Sequence, residues 1–334
     1  MMSKNSIVPF LKDYLIKFLT RPFLLDTNDN GRFGMIVPNS SISANKMLPL
    51  QEIITNKKES WISNFSWRPS KLFEGADMLL AIIIYVNSNN SKIRSTIYHK
   101  WYNDFRSCLF KCLNYNDITQ IIKMGSIPKI PSLMVISILS RMKNISHNHN
   151  LTESFKSVSD YKLYYFRAVQ YWFKVLNKEP IFEEDGINIV TGEMKTIYAE
   201  NLKERNAIIS ILSSNIFFLY YIIWSSCQVV NIRDFNFNIF IKGLKPDIIN
   251  TLSTLGINLQ KSYQENSKII ERKYSKKGRI FSMKKQHFYI KHSKLIIDEI
   301  DKILAKYYNF SEEELDYIIN YDIKYRMGDE LNDE

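Results

Sequence analysis

The chain is poor in the residues that staple or loosen a fold. Three cysteines in 334 residues cannot build a disulfide framework. The spacing Cys108-x3-Cys112 lacks the second pair a structural zinc site needs, so all three read as reduced thiols of a cytoplasmic protein. Ten glycines and nine prolines are few for this length, which argues against disordered, collagenous and linker-rich classes. No Pro-Pro dipeptide occurs, and Gly31 to Gly34, the only Gly-x-x-Gly, sits in the turn before a strand rather than after one. No PD-x(n)-ExK arrangement stands out, so endonuclease chemistry is not assigned. The start, MMSKNSIVPFLKDYLIKF, has no long apolar region followed by a small-residue cleavage site and does not read as a signal peptide.

A long uninterrupted apolar run is missing too. AIISILSSNIFFLYYIIWSSCQVV, from Ala207 to Val230, approaches the length of a bilayer span. It also carries Ser210, Ser213, Ser214, Asn215, Ser225, Ser226 and Gln228, polar groups that lipid tails cannot satisfy. Their spacing predicts a long helix around Asn206 to Trp224 buried in protein, and no membrane is expected as a partner.

What the chain does have is aromatic mass and positive charge. Twenty Tyr, twenty Phe and 45% hydrophobic residues suffice for the cores of two domains. The net charge of +11 is uneven, because the last 24 residues carry nine acidic and two basic side chains. Residues 1–310 hold 43 basic and 25 acidic residues, a net +18. A body so basic attracts a polyanion, unless the lysines are merely solvated.

Along the chain, Phe33 to Pro38 reads as a strand after the turn Asp29-Asn30-Gly31, and Leu48 to Thr55 has helical spacing. Trp61 to Trp67 alternates like a strand. Leu79 to Val86 is apolar without alternation, as in an internal strand covered on both faces of an α/β sheet. Three strands and few helices before residue 90 make only half of a doubly wound sheet. The two prolines of IPKIPS, Ile127 to Ser132, mark a boundary, and Leu133 to Met142 is an amphipathic helix. In the polar stretch NISHNHN, His147 and His149 could be metal ligands, but an isolated His-x-His is far more often solvated. Tyr161 to Leu176 fits either a β-prone segment or an amphipathic helix. Between Lys268 and Lys294 lie ten basic residues and one acidic residue, interleaved with Tyr274, Phe281, Phe288 and Tyr289. Gly278 inside KKGR predicts a hairpin that presents Lys276, Lys277 and Arg279 together, where cations meet phosphate and aromatics stack on bases or anchor the hairpin. Two helices close the chain. One is Leu295 to Tyr308, with Ile296, Ile297, Ile300, Ile303 and Leu304 on one face, and Ser311 with Glu314 caps the other.

NFSEEELDYIINYDIKYRMG, Asn309 to Gly328, with KLIIDEIDKILAKYY before it, resembles the C-terminal end of bacterial adenine-specific DNA methyltransferases of the fused restriction-modification type. GRFGMIVPNS and FSWRPSKLFEGADMLLAIII are similar to the fifth strand, sixth strand, following loop and seventh strand of their catalytic domain. LSSNIFFLYYIIWSSCQVVNIRDF is similar to a helix and turn of their target-recognition region. The resemblance implies an α/β fold: the C-terminal half of a Rossmann-like methyltransferase sheet over residues 1–125, an α+β target-recognition domain over 126–293 and a C-terminal helical segment over 294–334. It implies methyl transfer from S-adenosylmethionine to the amine of an adenine flipped from the duplex. The two motifs that carry that chemistry, a Gly-containing cofactor loop of the FxGxG sort and Asn-Pro-Pro-Tyr, are both absent. The chain therefore reads as a C-terminal portion whose cofactor-binding strands should precede Met1. It has no catalytic or cofactor-binding residue of its own, and S-adenosylmethionine is expected only in the completed enzyme.

The expected partners are double-stranded DNA and a chain carrying the N-terminal methyltransferase half. In the family, the loop after the sixth strand contributes an aromatic that packs on the flipped base. Here that loop is Arg68 to Met78 and Phe73 is its only aromatic, in a loop that should open onto the ligand crevice. Arg68 and Lys71 are then expected at phosphates beside the extruded nucleotide. Arg167, Arg233, Lys276, Lys277 and Arg279 would hold the duplex, with Lys162 and Tyr165 as further candidates. Two alternatives stay open: a nonenzymatic DNA-binding specificity module, and a truncated remnant without function.

Overall fold

Alternating burial organises the first sheet of the computed structural model, which describes residues 32–56, 58–123, 125–276 and 278–328 and all but the side chain of Lys276 among them. Contacts divide the chain into two compact units, Met1–Ser137 with Ile222–Gln228, and Ile138–Tyr221 with Val229–Glu334. The fold is mixed α/β with several sheets. The turn Asp29-Asn30-Gly31 and Lys277 lie outside the described residues.

In the first unit, β1 (Arg32–Pro38), β2 (Lys58–Phe65), β3 (Leu80–Asn87), β4 (Lys92–His99) and β5 (Asn116–Asp117) form a sheet in the order β1-β3-β2-β4-β5. The three strands and the helix α1 (Leu48–Thr55) expected from the pattern are present. β3 is internal, as its apolar run requires, and antiparallel to both neighbours, whereas β2 and β4 are parallel. Ala81, Ile83 and Tyr85 of β3 are buried on one face. That face is covered by α1, whose Ile54 carbonyl accepts a bond from Ser60 Oγ at 2.5 Å. The other face departs from the expectation of burial on both sides: Ile84 is 41% exposed and Ile36 48%. Among the described residues its far end is closed by Phe65, Leu72, Leu80, Trp101 and Leu109. The strand KIRSTIYH that forms β4 extends the expected three strands.

The segment Ile222–Gln228 is bound into this unit by backbone carbonyls. Lys129 Nζ, itself buried, donates to Ser225 O at 2.7 Å and Ile223 O at 3.3 Å, bonds that offset part of the cost of burying its charge.

The second unit contains α2 (Leu133–Ile145) in large part, β6 (Lys162–Phe166), β7 (Val175–Leu176), β8 (Phe182–Glu184), β9 (Ile187–Asn188) and β10 (Met194–Tyr198). The stretch Tyr161 to Leu176 is thus resolved as two short strands joined by an irregular segment, and β10-β6-β7 make a three-stranded sheet. The predicted long helix is two, α3 (Leu202–Ser213) and α4 (Asn215–Trp224), bent by 63°. The break is chemical. Ser214 Oγ accepts from Phe217 N at 3.0 Å, and the buried Asp301 carboxylate accepts from Ile216 N at 3.0 Å and Asn215 Nδ2 at 2.6 Å, an N-cap inside the apolar run. Among the described residues no single helix is long and apolar enough to cross a membrane, although this bent pair passes on length and composition. Its side chains are almost all buried in protein.

α5 (Pro246–Glu265) lies close against α3. A Cβ on Gly256 would stand 2.2 Å from Asn206 O, and Ser210 Oγ donates to Leu252 O at 2.6 Å, so glycine is the residue the approach permits. An aromatic core fills the unit: Phe173 meets Phe217 edge-on at 4.8 Å, and Phe235 and Phe237 extend it. α6 (Lys294–Tyr308), α7 (Glu312–Asn320) and α8 (Ile323–Met327) close the described chain. Ser311 and Glu314 form the expected capping box. α8 adds a turn to the two helices foreseen, and its Arg326 is buried between Trp172 at 3.9 Å and Phe218 at 4.5 Å.

Candidate nucleic-acid interface

Two ten-residue strands, β11 (Ser267–Lys276) and β12 (Arg279–Phe288), form the hairpin that the KKGR turn predicted. Gly278, at φ +79, takes the left-handed conformation of the turn. β12 continues into β8 and β9, giving a four-stranded sheet in the order β11-β12-β8-β9. Register decides which side chains share a face, because they alternate with period two. Lys268 pairs with His287, Ile270 with Lys285, Arg272 with Met283, Tyr274 with Phe281 and Lys276 with Arg279. One face therefore gathers Lys268, Arg272, Arg279 and Lys285 around the stacked rings of Tyr274 and Phe281, whose centroids are 5.9 Å apart. The opposite face holds Lys273 and Lys284 beside Glu271. Four cations against two among the described side chains, with the aromatic pair on the richer side, give the hairpin a polarity that its composition does not show.

Ion pairs on this sheet separate the committed cations from those turned to solvent. Arg279 Nη2 lies 2.9 Å from Asp185 Oδ2 and 3.1 Å from Glu184 Oε1, so it ties the hairpin to the β8–β9 turn. The Ser282 N–H and, after it, this guanidinium hold the Asp185 carboxyl below its ordinary range. Lys285 Nζ is 3.0 Å from Glu193 Oε1. Lys268 and Arg272 are exposed, and Lys268 stands 5.9 Å from the Tyr289 ring. Burial and the neighbouring charges of Lys174, Arg272 and Lys285 push the His287 imidazole below its ordinary range, which locates several positive groups around the foot of this face.

The remaining sequence candidates separate by environment. Phe73 is 42% exposed while its neighbour Leu72 is buried. The loop around them is held from outside, by Arg106 Nη1 donating to Lys71 O at 2.9 Å and Nη2 to Leu72 O at 2.7 Å. The Lys71 ammonium is ion-paired with Asp77, and the Arg68 guanidinium lies 4.5 Å from the Trp67 ring. The loop thus turns one ring outward, with its nearest lysine already neutralised. In the second unit Lys162 is exposed, but Tyr165 is buried edge-on to Phe235 at 5.0 Å, a core position out of reach of a duplex. Arg167 is half-buried; its N–H donates to Glu193 O at 2.8 Å and its carbonyl accepts from Val230 N at 2.8 Å. Arg233 Nε lies 3.7 Å from the buried Asp234. His149 stacks on Phe240 at 4.2 Å and bonds Glu153 at 2.7 Å, which gives it a structural contact.

The residues that sequence reasoning passed over are Lys268 and Arg272. Their signal was the alternation Lys268, Ile270, Arg272, Tyr274, Lys276, which places five successive even positions on one face. No family model matches the chain, and no match was found among curated proteins. Among solved structures, a Type IIL restriction-modification enzyme, MmeI, in complex with DNA is similar over 94% of this chain and 50% of its own, at 9% identity and a TM-score of 0.38. This chain spans about half the length of that protein.

Proposed function

We propose that the chain is the DNA-recognition portion of a site-specific adenine DNA methyltransferase of a restriction-modification system, completed by a separate chain that binds S-adenosylmethionine. The observation that carries the reading is the basic, aromatic face of the β11–β12 hairpin. A ribbon whose outer strand carries Lys268, Arg272 and Lys276 at every fourth residue offers phosphate contacts in register along a duplex, and the Tyr274–Phe281 pair stiffens it between them. In this reading Lys268, Arg272 and Lys276 neutralise phosphates, while Phe73, turned outward by a clamped loop, stacks on the base that the completed site receives.

Support for a completing chain comes from the first sheet. β1 is its terminal strand among the described residues, and Ile36 and Ile84 leave an apolar strip beside it. An edge in that state is a template for further strands. The sequence contains neither the cofactor loop nor Asn-Pro-Pro-Tyr, so no step of methyl transfer is assigned to this chain. S-adenosylmethionine would be held by the partner.

One observation favours a second reading, a DNA-binding specificity module without methyl transfer. Asp77 neutralises Lys71 and the exposed Glu74 adds negative charge beside Phe73, which is unfavourable for an incoming phosphate. The test is to mix the purified chain with the product encoded upstream and a labelled duplex, and to measure both binding and methyl incorporation. Binding with incorporation supports the first reading, and binding without it the second. No binding at low salt removes both.

A further inference from the structure

A cavity of about 380 Å³ opens in the second unit at the foot of the basic hairpin face. Its walls come from four separate segments: the end of β6 with the irregular stretch after it, the start of β8, the loop before β10, and the end of β12. Phe166, Trp172 and Phe182 supply flat apolar surface, Lys174 and Lys285 supply positive groups, and His287 adds a polar ring edge. Lys174 Nζ lies 4.5 Å from the Phe166 ring and Lys285 Nζ 4.6 Å from the Phe182 ring. Ammonium groups placed against ring walls favour a ligand that combines an aromatic plane with an anion.

Charge complementarity points the same way. Glu193 is the carboxylate that lines the cavity, and its Oε1 is engaged by Lys285 at 3.0 Å. Lys174 and Lys285 therefore share one negative partner, which leaves a net positive site. Burial lowers the Lys174 ammonium from its ordinary range, only partly offset by Glu193. A cation kept in a low-dielectric cleft without a full counter-charge is stabilised by whatever anion enters. The volume sits near the lower end of the about 300–1,000 Å³ of small-ligand sites, room for one nucleotide and not for a base pair. Position completes the case: Lys285 and His287 belong to the same face of the hairpin as Lys268 and Arg272, so a strand tracking those cations reaches the cavity mouth.

We propose that this cavity is a binding site for a single unstacked nucleotide, its heterocycle against the aromatic walls and its phosphate on Lys174 and Lys285. The site is separate from the Phe73 loop and does not require methyl-transfer chemistry. Its occupant is either a free nucleoside monophosphate or an extrahelical nucleotide of a DNA strand. The test titrates the full chain with thymidine and deoxyadenosine 5′-monophosphates, the matching nucleosides and inorganic phosphate by calorimetry. In parallel, oligonucleotides carrying 2-aminopurine either unpaired or fully paired are titrated by fluorescence.

Lys174→Met keeps the aliphatic stem and removes the charge. Phe182→Ala, on a short half-buried strand, is the second variant, and melting temperatures check that both fold. Monophosphates binding more tightly than phosphate or nucleosides, with a loss of about tenfold or more in each variant, support the free-nucleotide form. An unpaired 2-aminopurine bound more tightly than a paired one, with the same loss, supports the DNA form even if monophosphates are too weak to detect. Phosphate binding as well as the monophosphates, or folded variants that bind like the parent, overturns the proposal. Monophosphate binding without any duplex binding would remove the DNA-recognition reading and leave this site standing.

Discussion

Replacing Lys268 and Arg272 together with alanine tests whether the hairpin face meets DNA. Both are exposed on the aromatic side of the ribbon, whereas Arg279 and Lys285 on that side are held by carboxylates 2.9 and 3.0 Å away. Each phosphate contact contributes about 0.9 to the slope of log K against log salt on duplex DNA. Losing both should lower that slope by roughly 1.8. The control is Lys273 and Lys284, equal in charge but on the opposite face beside Glu271, with Lys284 Nζ 3.9 Å from Glu183. The assay is fluorescence anisotropy of a labelled duplex between about 50 and 200 mM salt, the range over which such contacts separate. Because all four side chains lie on a projecting hairpin, melting temperatures should change by little in either double variant. Equal losses in both pairs would mean a diffuse attraction with no preferred face. No loss in either would remove the hairpin from the interface.

Three further predictions test the framework. Leu72→Ala should cost about 2–5 kcal/mol by denaturant unfolding, since Leu72 is 4% exposed in an apolar cluster. Phe73→Ala, one residue on and 42% exposed, should leave stability within about 0.5 kcal/mol; equal costs would contradict the inward–outward assignment. Gly256→Ala places a methyl 2.2 Å from Asn206 O and should destabilise by about 1–3 kcal/mol or more, whereas a neutral result would place α3 and α5 farther apart.

Asp301 gives a pH test. Burial pushes its carboxyl from 3.8 up to about 7, against the pull of the Ile216 and Asn215 donors. A raised folded value means that the associated stability is fully present below pH 3.8 and is lost as pH rises through about 7. The full span is on the order of 4 kcal/mol. Relative to Asp301→Asn, the parent should therefore be less stable at pH 8 than at pH 5, and a difference that does not vary with pH would refute the assignment.

Much of the framework was legible where local pattern and tertiary role agree. The apolar run of β3 became an internal strand, α1 took the expected bounds, and the glycine in KKGR made the hairpin turn. The failures share a cause: the deciding partner was distant in sequence. Ser214 and Asn215 looked like polar residues on one buried helix, yet Asp301, far along the chain, caps a second helix there. Tyr165 looked like a surface aromatic until Phe235 covered it. Ile84 looked buried, but nothing among the described residues covers its end of the face. The cavity was invisible because its walls come from four segments that no single motif spans. The hairpin candidates were chosen at the turn, around Arg279, when register places Lys268 and Arg272 on the same face without carboxylate partners of the kind that hold Arg279.

The function proposed for this chain is to grip DNA for a methyltransferase completed by another chain. Its most direct measurement is transfer of labelled methyl groups to adenine in duplex DNA by the chain mixed with its upstream-encoded neighbour, compared with each alone. The account predicts incorporation only in the mixture, abolished by the Lys268 and Arg272 double variant at moderate salt. Incorporation by the neighbour alone at the same rate, or none in a mixture whose chains demonstrably associate, would contradict it.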